Sequence, residues 1–234
     1  MTTMSRKLLA EAVGTALLLY VVVGSGITAQ THTSDQGLQL FAHALTVGLG
    51  LGALIATFIA VSGAHFNPAV TLGMWRDDQI SASQAAAYMA VQLGGAIVGV
   101  TAANVSFARP PFSISDNLRS EPGMVMAEAL VTFILVLLIL ALVESGRTSA
   151  IPAAVGAWIA AAIFASASTG FANPAVTVAR IFTDSYTGID PSSIPGFVLS
   201  QLAAGLLAGY GARILFHLNR HQQTTTPQSL GDAP

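Results

Sequence analysis

Charged residues punctuate this chain at long intervals, and the gaps between them outline its elements. No Asp, Glu, Lys or Arg falls between Glu11 and Asp35, Asp35 and Arg76, Asp78 and Arg109, Glu128 and Glu144, Arg147 and Arg180, or Asp190 and Arg213. A helix that crosses a bilayer takes roughly 20 apolar residues. The pattern therefore predicts spanning helices at about 8–29, 38–61, 83–106, 122–144, 150–169 and 194–216. Two gaps are too long for one crossing: 36–75 runs 40 residues and 148–179 runs 32. In each, the surplus lies on the C-terminal side and begins at Asn-Pro-Ala. The surplus pieces are about ten residues long, too short to cross.

The two surplus pieces read almost alike, "AHFNPAVTLG" at 64–73 and "GFANPAVTVA" at 170–179. Asn67 and Asn173 are suited to cap a helix N-terminus, and Pro68 and Pro174 fit its first position, where no N–H is needed. Each Asn-Pro-Ala thus starts a half-helix part-way into the membrane. Backbone exposed at that depth is tolerated only when buried in protein or lining a watery cavity.

Other landmarks recur in the same order. "EAVGT" (11–15) opens the first span and "EALVT" (128–132) the fourth; "VQLGGAIVG" in the third is echoed by "SQLAAGLLAG" in the sixth, matching Gln92 with Gln201. Such order implies duplication. Each half holds three spans, an odd number, so the second enters from the opposite side. The result is an inverted repeat, with its site expected at the midplane. Residues 1–216 then form one channel-like domain, with repeat one at about 8–106 and repeat two at about 122–216. The half-helix N-termini would face each other there, placing positive partial charge and asparagine N–H donors at one level. That arrangement repels cations while feeding hydrogen bonds to neutral solutes.

Composition agrees with this picture. Charged residues make up 9% and hydrophobic residues 53%, with a mean hydropathy of +0.67. Soluble domains carry about 25% charged residues, so the chain is a membrane protein. A net charge of −2 supplies no basic field for nucleic acid. Cysteine is absent, which excludes disulfides, thiolate catalysis and cysteine-ligated metals. His43 and His65 stand alone, without clustered carboxylates, so no metal site is expected. No nucleophile triad, phosphate loop or paired-carboxylate constellation is present in the sequence, so neither an enzyme nor a cofactor is expected.

Arg6 and Lys7 precede an apolar run, as in a signal peptide. The run is longer than a signal's apolar core and contains Glu11, so it reads as the first span. Six of the nine basic residues (Arg6, Lys7, Arg76, Arg147, Arg213 and Arg220) fall on the side of the termini; Arg109, Arg119 and Arg180 fall on the other. This bias predicts cytoplasmic termini. The polar tail, 217–234, is expected to be disordered and cytoplasmic.

In "SGAHFNPAVTLG" and the second "NPA" in register with it, the chain resembles the major intrinsic protein family, the aquaporins and aquaglyceroporins. The resemblance runs from Glu11 to about Gly211. It implies an all-α membrane protein of six transmembrane helices plus two re-entrant half-helices. It also implies one pore per protomer, a homotetramer in the lipid bilayer, and passive conduction of water, glycerol or other small neutral solutes. The pore midplane would be Asn67, Pro68, Ala69, Asn173, Pro174 and Ala175. Glu11 and Glu128, with His65 in the turn before Asn67, would support the half-helices. Intramembrane acids alternatively suggest ion coupling, so an ion-coupled carrier remains open, as does a closed junction protein.

The departures are informative. In water channels and glycerol facilitators an arginine follows the second Asn-Pro-Ala; here that residue is Val176. Ungapped counting from the asparagines places the remaining filter positions at Val47, usually aromatic, Ala161 and Gly170. A filter of small apolar residues loses both the ring and the guanidinium. It should be wide and poorly suited to strict water selection, although a water-selective aquaporin is the alternative. Polyols and undissociated metalloid acids such as arsenite are the expected solutes, as in bacterial members associated with arsenic resistance. The expected location is the bacterial inner membrane. Arg180 lies four residues beyond Val176, about 40° round the helix and about 6 Å along it. It is expected either to charge a vestibule outside the filter, or to snorkel to the interface or pair with Asp184.

Overall fold

The computed structural model describes residues 2–216; the tail 217–234 lies outside the described residues. These residues form eight α-helices: α1 (Thr3–His32), α2 (Gln36–Ser62), α3 (Pro68–Arg76), α4 (Ala82–Ser106), α5 (Pro122–Glu144), α6 (Ile151–Ala165), α7 (Pro174–Ala179) and α8 (Ile194–Phe216). Six of them, α1, α2, α4, α5, α6 and α8, are long and apolar enough to cross a membrane, α6 together with the 3₁₀ turn Thr148–Ala150 before it. The short pair, α3 and α7, are the half-helices. A 3₁₀ turn, Arg180–Phe182, continues α7.

Two boundaries differ from the sequence reading. α1 starts at Thr3 rather than near residue 8, because Thr2 caps it: the Thr2 hydroxyl accepts from the Ser5 N–H at 3.1 Å. The fifth span ends at Ala165 rather than near 169. Ser166 is already extended, with ψ 146°, and Thr169 and Gly170 beyond it take positive φ, 61° and 55°, which no right-handed helix accommodates.

The halves are exchanged as well as inverted. α1 packs on α2 and α4, and correspondingly α5 packs on α6 and α8. Each half-helix, however, docks mainly on the other half, α3 against α8 and α7 against α4. Glycines make these crossings close. A Cβ on Gly205 would lie 2.5 Å from the Ala69 carbonyl oxygen, and one on Gly209 would lie 2.7 Å from that of Gly73. Gly48 and Gly52 of α2 likewise face α6, and Gly95 and Gly99 of α4 face α1.

Candidate functional site

The half-helices begin as their sequences require. Asn67 Oδ1 accepts from the Ala69 N–H at 2.8 Å, and Asn173 Oδ1 from those of Ala175 and Val176 at 3.0 and 3.3 Å. Pro68 and Pro174 occupy the first turns. The amide nitrogens cross between the halves: Asn67 Nδ2 donates to the Ala172 carbonyl at 2.7 Å, and Asn173 Nδ2 to that of Phe66 at 2.8 Å. An amide nitrogen has two donor hydrogens, so each asparagine keeps one beyond this bridge. Ala69 and Ala175 are buried beneath the bridge, 0% and 1% exposed.

The loops entering the half-helices are bent alike. Residues one, three and four positions before each asparagine have positive φ: Phe66, Ala64 and Gly63 in the first loop, Ala172, Gly170 and Thr169 in the second. Left-handed non-glycine residues cost about 1–3 kcal/mol each and persist only when over-determined by their surroundings. Here a buried carboxylate does the determining. Glu11 accepts from the backbone N–H groups of His65 and Phe66 at 3.0 and 2.8 Å, from the Ser62 hydroxyl at 2.6 Å and from Gln92 Nε2 at 2.8 Å. Glu128 accepts from the N–H groups of Phe171 and Ala172 at 2.9 and 2.7 Å, and from Gln201 Nε2 at 2.6 Å. Each glutamine donates a second bond to a half-helix threonine, Gln92 to Thr71 and Gln201 to Thr177. His65 shares a 3.0 Å hydrogen bond with Thr71 and stands edge-on to Tyr88. The acids thus face backbone, and neither lines the central cavity.

That cavity, about 520 Å³, extends from Val143, Thr148 and Ser149, at the α5–α6 connection, past both asparagines to His43, Thr169 and Arg180 at the opposite end. Val47, Gly170 and Val176 are on its wall. Ala161 is not: it is exposed on the outer face of α6, and the wall there is made by Ile159 and Ile163. The correction follows from helix geometry. Ile159 and Ile163 are one turn apart on one face, and a residue midway between them points about 200° away. The wall at this place is therefore bulkier than an alanine would make it.

Arg180 is neither at an interface nor paired with Asp184. It is 4% exposed, its Nε donates to the Thr187 carbonyl, and its guanidinium carbon lies 3.4 Å from the centre of the Phe171 ring. Its two terminal nitrogens have no hydrogen-bond partner among the described residues. A second guanidinium, that of Arg119 in the α4–α5 connection, lies 5.1 Å from the same ring. Arg119 donates to the carbonyls of Gly188, Ser168 and Tyr186 and to the Thr169 hydroxyl at 3.2–3.4 Å. Burial lowers its pKa from the ordinary arginine value, opposed by the nearby Tyr186 and Glu128. His43 is hydrogen-bonded to Ser25 at 2.8 Å and stands edge-on to Tyr186.

The sequence reading did not single out Thr71, Thr177 or Arg119, nor give His43 a place in the pore. The threonines were visible in the repeated "NPAVT". Nothing in the sequence marks Arg119, whose partners are mostly carbonyls of distant loops.

Comparison with known proteins fits this architecture. The family model for the major intrinsic proteins matches residues 1–180. The chain is 42% identical over 205 residues to the aquaglyceroporin AqpS of Rhizobium meliloti (strain 1021), covering 88% of each. It is 33% identical over 220 residues to aquaporin TIP2-1 of Arabidopsis thaliana, covering 87% of this chain and 84% of that one. The X-ray structure of the aquaglyceroporin from Plasmodium falciparum superposes with a TM-score of 0.73 at 23% identity, covering 93% of this chain and 99% of the other. With the inverted half-helices and their crossed asparagines in place, the match leads to one assignment: the chain belongs to the major intrinsic protein family, a family of membrane channels.

Proposed function

We propose that this protein is a passive channel for small uncharged solutes: glycerol-like polyols, undissociated metalloid acids such as arsenite, and water. The observation that carries the reading is the cavity wall. The wall is mostly apolar, broken by the two asparagines and by Arg180, with Val47 and Val176 on it at positions where the family resemblance implies an aromatic and an arginine. The likeness to a bacterial aquaglyceroporin supports the same solute class. The protein acts as a homotetramer in a bacterial inner membrane, with both termini cytoplasmic, as the distribution of Lys and Arg favours.

An ion-coupled carrier is disfavoured by Glu11 and Glu128. Both are fully buried, engaged by loop N–H groups and absent from the cavity wall. A coupling acid needs access to the permeating species.

The direct test is reswelling of proteoliposomes by stopped flow, with water, glycerol, urea and arsenite compared side by side. Glycerol and arsenite should enter without saturation or dependence on an ion gradient. Gradient-coupled, saturable uptake would instead identify a carrier. The filter assignment has its own test in Val47→Phe combined with Val176→Arg. The added bulk and charge should lower glycerol flux about tenfold relative to water, as a loss of about 1.4 kcal/mol implies. An unchanged ratio in tetrameric, correctly folded protein would remove both positions from the filter.

A further inference from the structure

Arg180 is the only Asp, Glu, Lys or Arg among the described residues lining the cavity. It is more than nine-tenths buried, yet only its Nε is satisfied by protein. The carbonyl of Thr187 and the ring of Phe171 fix the plane of the guanidinium. A planar fork held from behind, with both terminal nitrogens unpaired, is the half of a bidentate contact that arginine ordinarily makes with a carboxylate. Arg119 adds a second positive charge against the same ring, but its own nitrogens are committed to carbonyls. Its role is to hold the loops around Phe171 and to raise the local potential. His43, Thr169 and Val176 complete the nearby wall, and none brings a competing carboxylate.

The geometry points to an oxyanion-binding subsite at the end of the cavity away from the α5–α6 connection, with Arg180 as the binding group and a small monovalent carboxylate as the ligand class. It deepens the channel reading and rests on it only for the consequence that an anion held there stands in the solute path. The affinity should be modest and sensitive to ionic strength, because a single guanidinium fork carries the contact.

Formate is a suitable probe, being the smallest carboxylate that engages both arms of a guanidinium. Two measurements test the site. The first is glycerol reswelling in sodium formate against sodium chloride at matched ionic strength; the second is thermal unfolding of the detergent-solubilised protein in the same salts. Formate should slow glycerol entry and raise the melting temperature of the wild-type protein relative to chloride, since a ligand that binds only the folded state stabilises it. Arg180→Gln keeps a donor for the Thr187 carbonyl but removes the charge and the fork. It should raise the formate concentration needed for either effect about tenfold. Arg180→Lys should fall between the two, and each variant's glycerol flux is read against its own formate-free rate.

Should the wild-type protein pass no glycerol but still be stabilised by formate through Arg180, the subsite stands and the channel reading fails. Should glycerol pass while formate neither slows it nor stabilises the protein, the channel stands and the subsite is overturned. Formate effects of equal size in Arg180→Gln would also overturn it.

Discussion

Glu11→Ala should be the most damaging single substitution in this protein, lowering its stability by about 3–5 kcal/mol, the usual penalty for removing one partner of a buried charged network. The carboxylate satisfies four donors at once: two backbone N–H groups, the Ser62 hydroxyl and Gln92 Nε2. Without it, those buried donors lose their acceptor, and the left-handed residues Ala64 and Phe66 lose their restraint. Glu11→Gln should be milder but still harmful, because its new amide hydrogens would face donors rather than acceptors. Ser62→Ala, which removes one of the four, should cost about 1 kcal/mol. Thermal unfolding and the monodisperse fraction in detergent rank the three. A melting temperature for Glu11→Ala within error of wild type would mean that the re-entrant loop holds itself.

The second large effect is on ions. Asn173→Asp preserves an oxygen to cap Ala175 and Val176, but replaces the nitrogen that donates to the Phe66 carbonyl with a second acceptor. A negative charge also enters the cavity wall beside the first turn of α7. For a cation passing at about 5 Å, with an effective dielectric constant of about 20, that charge contributes about 3 kcal/mol of attraction. Sodium and proton leak through proteoliposomes should then rise about a hundredfold. Leak at the wild-type level in folded Asn173→Asp protein would show that something other than midplane electrostatics excludes cations.

Much of this architecture is legible in the sequence because a membrane simplifies the code. The charge-free gaps locate the helices, and Asn-Pro-Ala carries both the cap and the first-turn residue of a half-helix. The features that escaped were those without periodicity or local signature. Ala161 was placed by counting back from Asn173 across 166–173, where the chain leaves the helix and returns. The wall residue there depends on the rotation of α6, which counting does not fix, and Ile159 and Ile163 occupy it. Counting along α7 says nothing of the stacking of Arg180 on Phe171, which depends on tertiary contact. Arg119 was counted only as a charge in a polar loop, since contacts with the carbonyls of Ser168, Tyr186 and Gly188 leave no trace in composition.

The exchange of half-helices also bears on how the chain is made. Synthesis proceeds from the N-terminus, so α3 emerges long before α8, the helix on which it docks. Glu11 and Gln92 belong to the first half and can hold the first loop in the meantime. The Ala69 and Gly73 carbonyls, however, have no Gly205 and Gly209 to lie against until the last span is inserted. Asn67 likewise waits for Ala172, and Asn173 finds Phe66 only when both loops are present. The cavity is therefore completed late: α3 and its N-cap line it through Asn67, Val70 and Met74, yet the helix against which α3 docks is the last to be inserted.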